Sequence, residues 1–131
     1  DDSVDDDASS EARRELNLGG SEIVSVAVVN GHLDLPAILK ELAKRQILSV
    51  LVEGGGRLHG SFLKSGLAHE MIVYVAPRLL GNGRPLVDLP SPDSVTEGFE
   101  LRAVTHVKLG DDIRIRGMIR YPSPNNHNKG E

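Results

Sequence analysis

The sequence predicts an α/β domain. Three observations carry this: a strand–helix–strand pattern over residues 22–52, a nearly all-apolar run "ILSVLV" at 47–52, and two long segments at 99–109 and 113–121 joined by "GDD". The apolar run suits a strand covered on both faces, as in a parallel sheet. The two joined segments suit an antiparallel hairpin with one wetter face.

Each element follows from local signals. Residues 22–29, "EIVSVAVV", are rich in β-branched side chains and read as a strand. "NGH" turns the chain. Asp34 is placed to cap a helix, and Pro36 fits its first turn. Leu35, Ile38, Leu39 and Leu42 recur on one helical face, with Lys40, Glu41, Lys44 and Arg45 mostly off it. The strand at 47–52 then closes a right-handed crossover unit. Leu58, Phe62 and Leu63 form a second helical face, with Gly66 suited to end that helix. Residues 70–76, "EMIVYVA", make a third strand. A long loop follows from Pro77 with four prolines and two glycines, and the hairpin closes the domain.

Composition sets limits. With 131 residues, the chain is one domain at most. Aromatics are 3% and Trp is absent, which argues against a stacking platform for single-stranded nucleic acid. There is no cysteine, hence no disulfide framework, thiolate chemistry or cysteine-based zinc site. No apolar run approaches the ~20 residues that span a bilayer, and the acidic start matches no targeting peptide. Five aspartates in residues 1–7 account for the net charge of −4, leaving the remainder at +1. Residues 1–20 read as an acidic disordered tail, 21–122 as the folded part and 123–131 as a polar tail.

The stretch "SVLVEGGGRLHGSFLKSGL" reads as a strand, a tight glycine turn and a helix. In sheets flanked by helices, ligands bind at the carboxyl ends of strands. Glycines there bring backbone close to a ligand, and the helix start offers unpaired N–H groups and a positive dipole end. Gly54, Gly55, Gly56 and Arg57 therefore form a pyrophosphate cradle or, equally, a plain turn; the dinucleotide fingerprint and the P-loop spacing are both absent. Glu53 either caps the next helix or, ionised, accepts hydrogen bonds from a ligand.

"LVEGGGRLHGSFLKSGLAHEMIVYVAPRLLGNGRPL" resembles the C-terminal reductase domain of the riboflavin-biosynthesis deaminase/reductase family. "DLPAILKELAKRQILSVLVEGG" and "FELRAVTHVKLGDDIRIRGMIRY" fit the same pattern, so that the resemblance spans residues 22–121. It implies a dihydrofolate-reductase-like fold, a three-layer mixed sheet with flanking helices and a C-terminal antiparallel hairpin, incomplete at its N-terminal side. It implies NADPH as cofactor and reduction of 5-amino-6-(5-phosphoribosylamino)uracil to the ribitylamino form. It also places substrate on Glu53 and cofactor on Gly55, Gly56, Arg57, Leu58, His59, Gly60 and Ser61. On their own, Arg57 reads equally as a phosphate partner or a solvated side chain, His59 as a surface residue, and Ser61 as a phosphate donor or a tolerated helix residue. Arg78 and Arg84 are weaker phosphate candidates. His32, His69 and His106 lack metal-site spacing, and no metal is expected. The family's domain begins with further strands before residue 22. The chain is thus expected to be part of a reductase, inactive alone or complemented by an N-terminal half, and to form an oligomer through exposed strand edges. The alternative is a non-catalytic binding or assembly module. Nucleic acid and membrane are not expected partners. The compartment follows the source: cytoplasm for a bacterial or fungal member, plastid for a plant one.

Overall fold

The computed structural model describes residues 22–29 and 31–122, which divide into two compact units meeting in sequence between Leu48 and Ser49. The expected tails at 1–20 and 123–131 lie outside the described residues.

In the first unit, β1 (Val28–Val29) and β2 (His32–Leu33) form a short antiparallel hairpin, pairing Val28 with Leu33 and Val29 with His32. Gly31 takes φ +76° in the turn between them, a region that costs glycine little. Helix α1 (Leu35–Lys44) begins as its sequence dictates. The Asp34 carboxylate accepts the Ala37 N–H at 3.0 Å, Pro36 sits in the first turn, and Leu35 is buried. Its C-terminus closes in a Schellman arrangement: Gln46 N–H donates to Ala43 O at 2.9 Å and Ile47 N–H to Leu42 O at 3.2 Å. The residue that turns the chain there is Gln46, at φ +61°, where glycine is the usual occupant. Arg45 pairs with Glu22 and Glu41, and Lys44 with Glu41 at 2.8 Å. The Arg45 side chain holds the Glu22 carboxyl below its ordinary 4.5, and Lys44 with Arg45 does the same for Glu41.

Two strand expectations change here. Residues 22–27 carry no strand, and β1 pairs locally with β2. Residues 47–52 also join no ladder, so the described residues contain no parallel crossover. An apolar β-branched run favours extended backbone, but a strand exists only where a neighbour accepts its hydrogen bonds. A two-residue turn brings such a neighbour close at far lower chain entropy than a crossover does. Leu48, at 97% exposure, and Leu51, at 75%, stay open to solvent.

In the second unit, helix α2 (Gly56–Lys64) runs into β3 (Glu70–Val75). A 3-10 turn (Val95–Glu97) precedes β4 (Glu100–Leu109) and β5 (Asp112–Arg120). The three strands form an antiparallel sheet ordered β3–β5–β4, with β5 at the centre. The β4–β5 turn is Gly110–Asp111, between paired Leu109 and Asp112; Gly110 at φ +61° and Asp111 outside the left-handed region suit a type II′ hairpin. A bulge interrupts β4: Ala103 and Val104 together oppose Gly117, and Ala103 sits at φ +50°. Gly117 is buried under that bulge, where a Cβ would lie 3.0 Å from Leu101 Cβ and 3.2 Å from Arg102 O.

The expected wetter face is present. Ile72, Tyr74, Glu70, Arg114, Arg116, Met118 and Arg120 share it by register. Arg116 makes a forked pair with Glu70, and Glu100 receives both Arg102 and Arg120. The opposite face carries half-buried Met71, Val73, Leu101, Ile115 and Ile119. Tyr121 locks the entry to β3: its hydroxyl accepts the Ala68 N–H at 3.0 Å and donates to the Ala68 carbonyl at 2.7 Å. Ile119 N–H donates to His69 O at 2.9 Å beside it, and Phe99 packs edge-on to the Tyr121 ring.

Replacing Gln46 with glycine removes a left-handed side-chain penalty, and Gln46→Gly is expected to stabilise the chain by about 1 kcal/mol in urea denaturation. Tyr121→Phe leaves both polar groups of Ala68 without their partner and is expected to cost about 1–3 kcal/mol in the same measurement. The pairs around Arg45 depress the carboxyl pKa values of Glu22 and Glu41 in the folded state. Their stabilisation is therefore present above the ordinary carboxylate range and lost as pH falls through the lowered values. All three side chains are solvent-accessible, so the acid-side loss in a thermal melt is expected to be small and to shrink with salt.

Candidate functional site

The glycine turn leads into α2 by way of Gly55, the residue that caps the helix, at φ +87° and ψ 176°. Such backbone is essentially restricted to glycine. No side chain caps the helix, and no acidic residue lies in its first turn. The early N–H groups of a helix have no intrahelical acceptor, so those of α2 face the turn without a capping side chain. A Cβ built on Gly55 would meet nothing within 4 Å, so open space lies before the helix start. Arg57, exposed in the first turn, adds a positive charge to the dipole end.

The neighbouring glycines serve another purpose. A Cβ on Gly56 would lie 2.4 Å from the carbonyl oxygen of Pro85, and one on Gly60 would lie 2.4 Å from that of Asp88. These two positions, four apart, share one helix face, and the backbone of residues 85–88 lies directly on it. Asp88 N–H donates to Gly56 O at 3.0 Å, and His59 Nδ1 lies 3.0 Å from Leu86 O. Sequence reading alone missed this loop contact. Its signal was available: two glycines at i and i+4 inside a helix leave room for backbone on one side.

The remaining expected site residues fall as follows. Glu53 is exposed and leaves the helix uncapped, so the capping alternative does not hold; the cap is Gly55. Leu58 bends back over Gly54, with its Cδ2 2.4 Å from where a Gly54 Cβ would sit. The Ser61 hydroxyl donates to Arg57 O at 2.9 Å, a bond back to the preceding turn. Phe62 and Leu63 are buried, as the helical face predicts, whereas Leu58, the third residue of that face, is exposed. Gly66, at φ +70°, ends α2, with its N–H on Leu63 O and that of Leu67 on Phe62 O, both at 3.0 Å. Arg78 and Arg84 are exposed in the loop after β3. Among the described residues no group of three or more His, Cys, Asp or Glu side chains is placed to hold a metal ion.

Each unit also carries a groove of its own. One of about 560 Å³ is walled in part by Val26, Leu33, Ile38 and Leu42, and another of about 350 Å³ adjoins Gly98, Arg120 and Tyr121.

Comparison with known proteins decides the family. The model of the RibD C-terminal domain matches residues 4–115. The chain belongs to the RibD C-terminal domain family. The riboflavin biosynthesis protein RibD of Escherichia coli (strain K12) is 42% identical over 86 residues, which cover 63% of this chain and 23% of that protein. A 5-amino-6-(5-phosphoribosylamino)uracil reductase of Buchnera aphidicola subsp. Acyrthosiphon pisum is 30% identical over 87 residues, 66% of this chain and 42% of that protein. The solved structure of Acinetobacter baumannii RibD, form 1, superposes with a TM-score of 0.70 at 32% identity, over 82% of this chain and 29% of that one. The chain thus spans less than half the length of these relatives. The fold class is α/β and dihydrofolate-reductase-like, with the C-terminal antiparallel hairpin in place.

Alanine at position 60 favours helix yet collides with the Asp88 carbonyl. Gly60→Ala is therefore expected to cost about 1–3 kcal/mol in denaturant despite its higher helix propensity.

Proposed function

We propose that this chain forms the cofactor-binding part of an NADPH-dependent reductase acting on 5-amino-6-(5-phosphoribosylamino)uracil in riboflavin biosynthesis. The observation that carries the proposal is the uncapped, glycine-entered start of α2 in a chain of the RibD C-terminal domain family. The residues fit a dinucleotide phosphate. Gly55 leaves open space, the first-turn N–H groups of Gly56, Arg57 and Leu58 supply donors, and the exposed Arg57 supplies charge. Bound NADPH would supply the hydride. Glu53, exposed beside the turn, is assigned to accept hydrogen bonds from the substrate. Gly60 and Ser61 support the segment from within the helix.

A second reading, a non-catalytic binding or assembly module, draws on the sparse burial. Leu35, Phe62 and Leu63 are the buried hydrophobic side chains among the described residues, while Ile72, Tyr74 and Met118 lie open on the sheet. Surfaces of this kind favour a second copy or a complementing reductase segment. No helix among the described residues is long and apolar enough to cross a membrane.

Titration of NADPH against the chain, alone and mixed with the rest of a RibD reductase domain, separates the two readings. Saturable binding with turnover of the ribosylaminouracil in the mixture supports the reductase. Absence of binding in both supports the module. Arg57→Gln is expected to weaken NADPH binding about tenfold with the fold intact. Glu53→Gln is expected to lower turnover of the complemented enzyme more than NADPH affinity, read from a kcat and Kd comparison, because an amide places a donor where an acceptor is needed.

A further inference from the structure

We propose that His59 is a positioning residue, which latches residues 85–88 onto the start of α2 and so fixes one wall beside the glycine turn. Three observations converge. The Leu86 carbonyl can only accept, so the His59 Nδ1, 3.0 Å away, must carry the hydrogen. Asp88 N–H donates to Gly56 O at 3.0 Å, one helical turn earlier on α2. Gly56 and Gly60 remove the two side-chain atoms that would hold the loop backbone off, each replaced contact being 2.4 Å from a loop carbonyl oxygen. The loop backbone is thus gripped at Leu86 and Asp88 and seated between two glycines. Without the imidazole, only the Asp88 bond would anchor it. The hydrogen bond directs the His59 ring along the helix side toward the loop, which separates its role from that of a phosphate contact. The consequence for NADPH rests on the reductase reading above; the latch itself does not.

The test uses the full chain with two variants. Asparagine can set an amide N–H where Nδ1–H stands, and alanine cannot. In His59→Ala, hydrogen exchange at the Asp88 amide is expected to quicken about fivefold to tenfold, and in His59→Asn to stay near the parent rate. NADPH titrated into the same samples is expected to bind several-fold more weakly to the alanine variant and to recover with asparagine. An unchanged Asp88 exchange rate in His59→Ala overturns the latch. So does equal loss of NADPH affinity in both variants with Asp88 protection intact, since that marks direct cofactor contact. If no sample binds NADPH, either alone or mixed with the rest of a RibD reductase domain, the reductase reading fails and the exchange rates still decide the latch. Should the alanine variant not fold, nitrogen NMR of the parent imidazole decides: the Nδ1–H tautomer supports the latch, and the Nε2–H tautomer overturns it.

Discussion

The second unit hangs on its central strand. β5 carries the ladders to both β3 and β4, so every backbone bond of the three-stranded sheet has one partner on residues 112–120. Its end reaches further still. Ile119 and Tyr121 fasten His69 and Ala68, the last two residues of the link from α2 into β3. The helix that begins at the glycine turn is therefore held at its far end by the last residues of the sheet. Loss of that clasp would loosen the helix from the strand it feeds.

Glycine is used along this segment for two different physical reasons. Gly55 serves the backbone, because its φ and ψ suit no other residue well. Gly56 and Gly60 serve packing, because the loop backbone stands where a Cβ would be. The triplet that looks in sequence like a uniform ligand cradle thus combines a turn with a docking face. The open space lies before Gly55, while the sides of the helix are taken by the loop and by Leu58.

Electrostatics at the surface follow strand and helix registers. Glu70 and Arg116 meet diagonally across neighbouring strands, Glu100 and Arg120 directly, and Glu41 reaches Lys44 and Arg45 within one helix turn. Each pair is solvent-accessible, so together they select register more than they add stability. Stability within the described residues rests instead on ladders, capped helix ends and a few covered side chains. Ile72, Tyr74 and Met118 stay exposed among the charged side chains of the sheet's wetter face.

Sequence alone determined what depends on near neighbours. The Asp34 cap, the α1 face, the Gly66 stop, the β4–β5 hairpin and its charged face were all readable, because each is set by spacing within a few residues. The family was readable too, from the glycine-turn and "APRLLG" stretches. Tertiary structure alone decided which extended segments find partners. The runs at 22–27 and 47–52 look like core strands, yet they join no ladder among the described residues, since hydrophobicity fixes a preference for extension and not a neighbour. It also decided the meaning of the glycines and of His59. Loop and helix lie about 27 residues apart at the His59–Leu86 contact, and no periodicity in the chain encodes which backbone will press on which face.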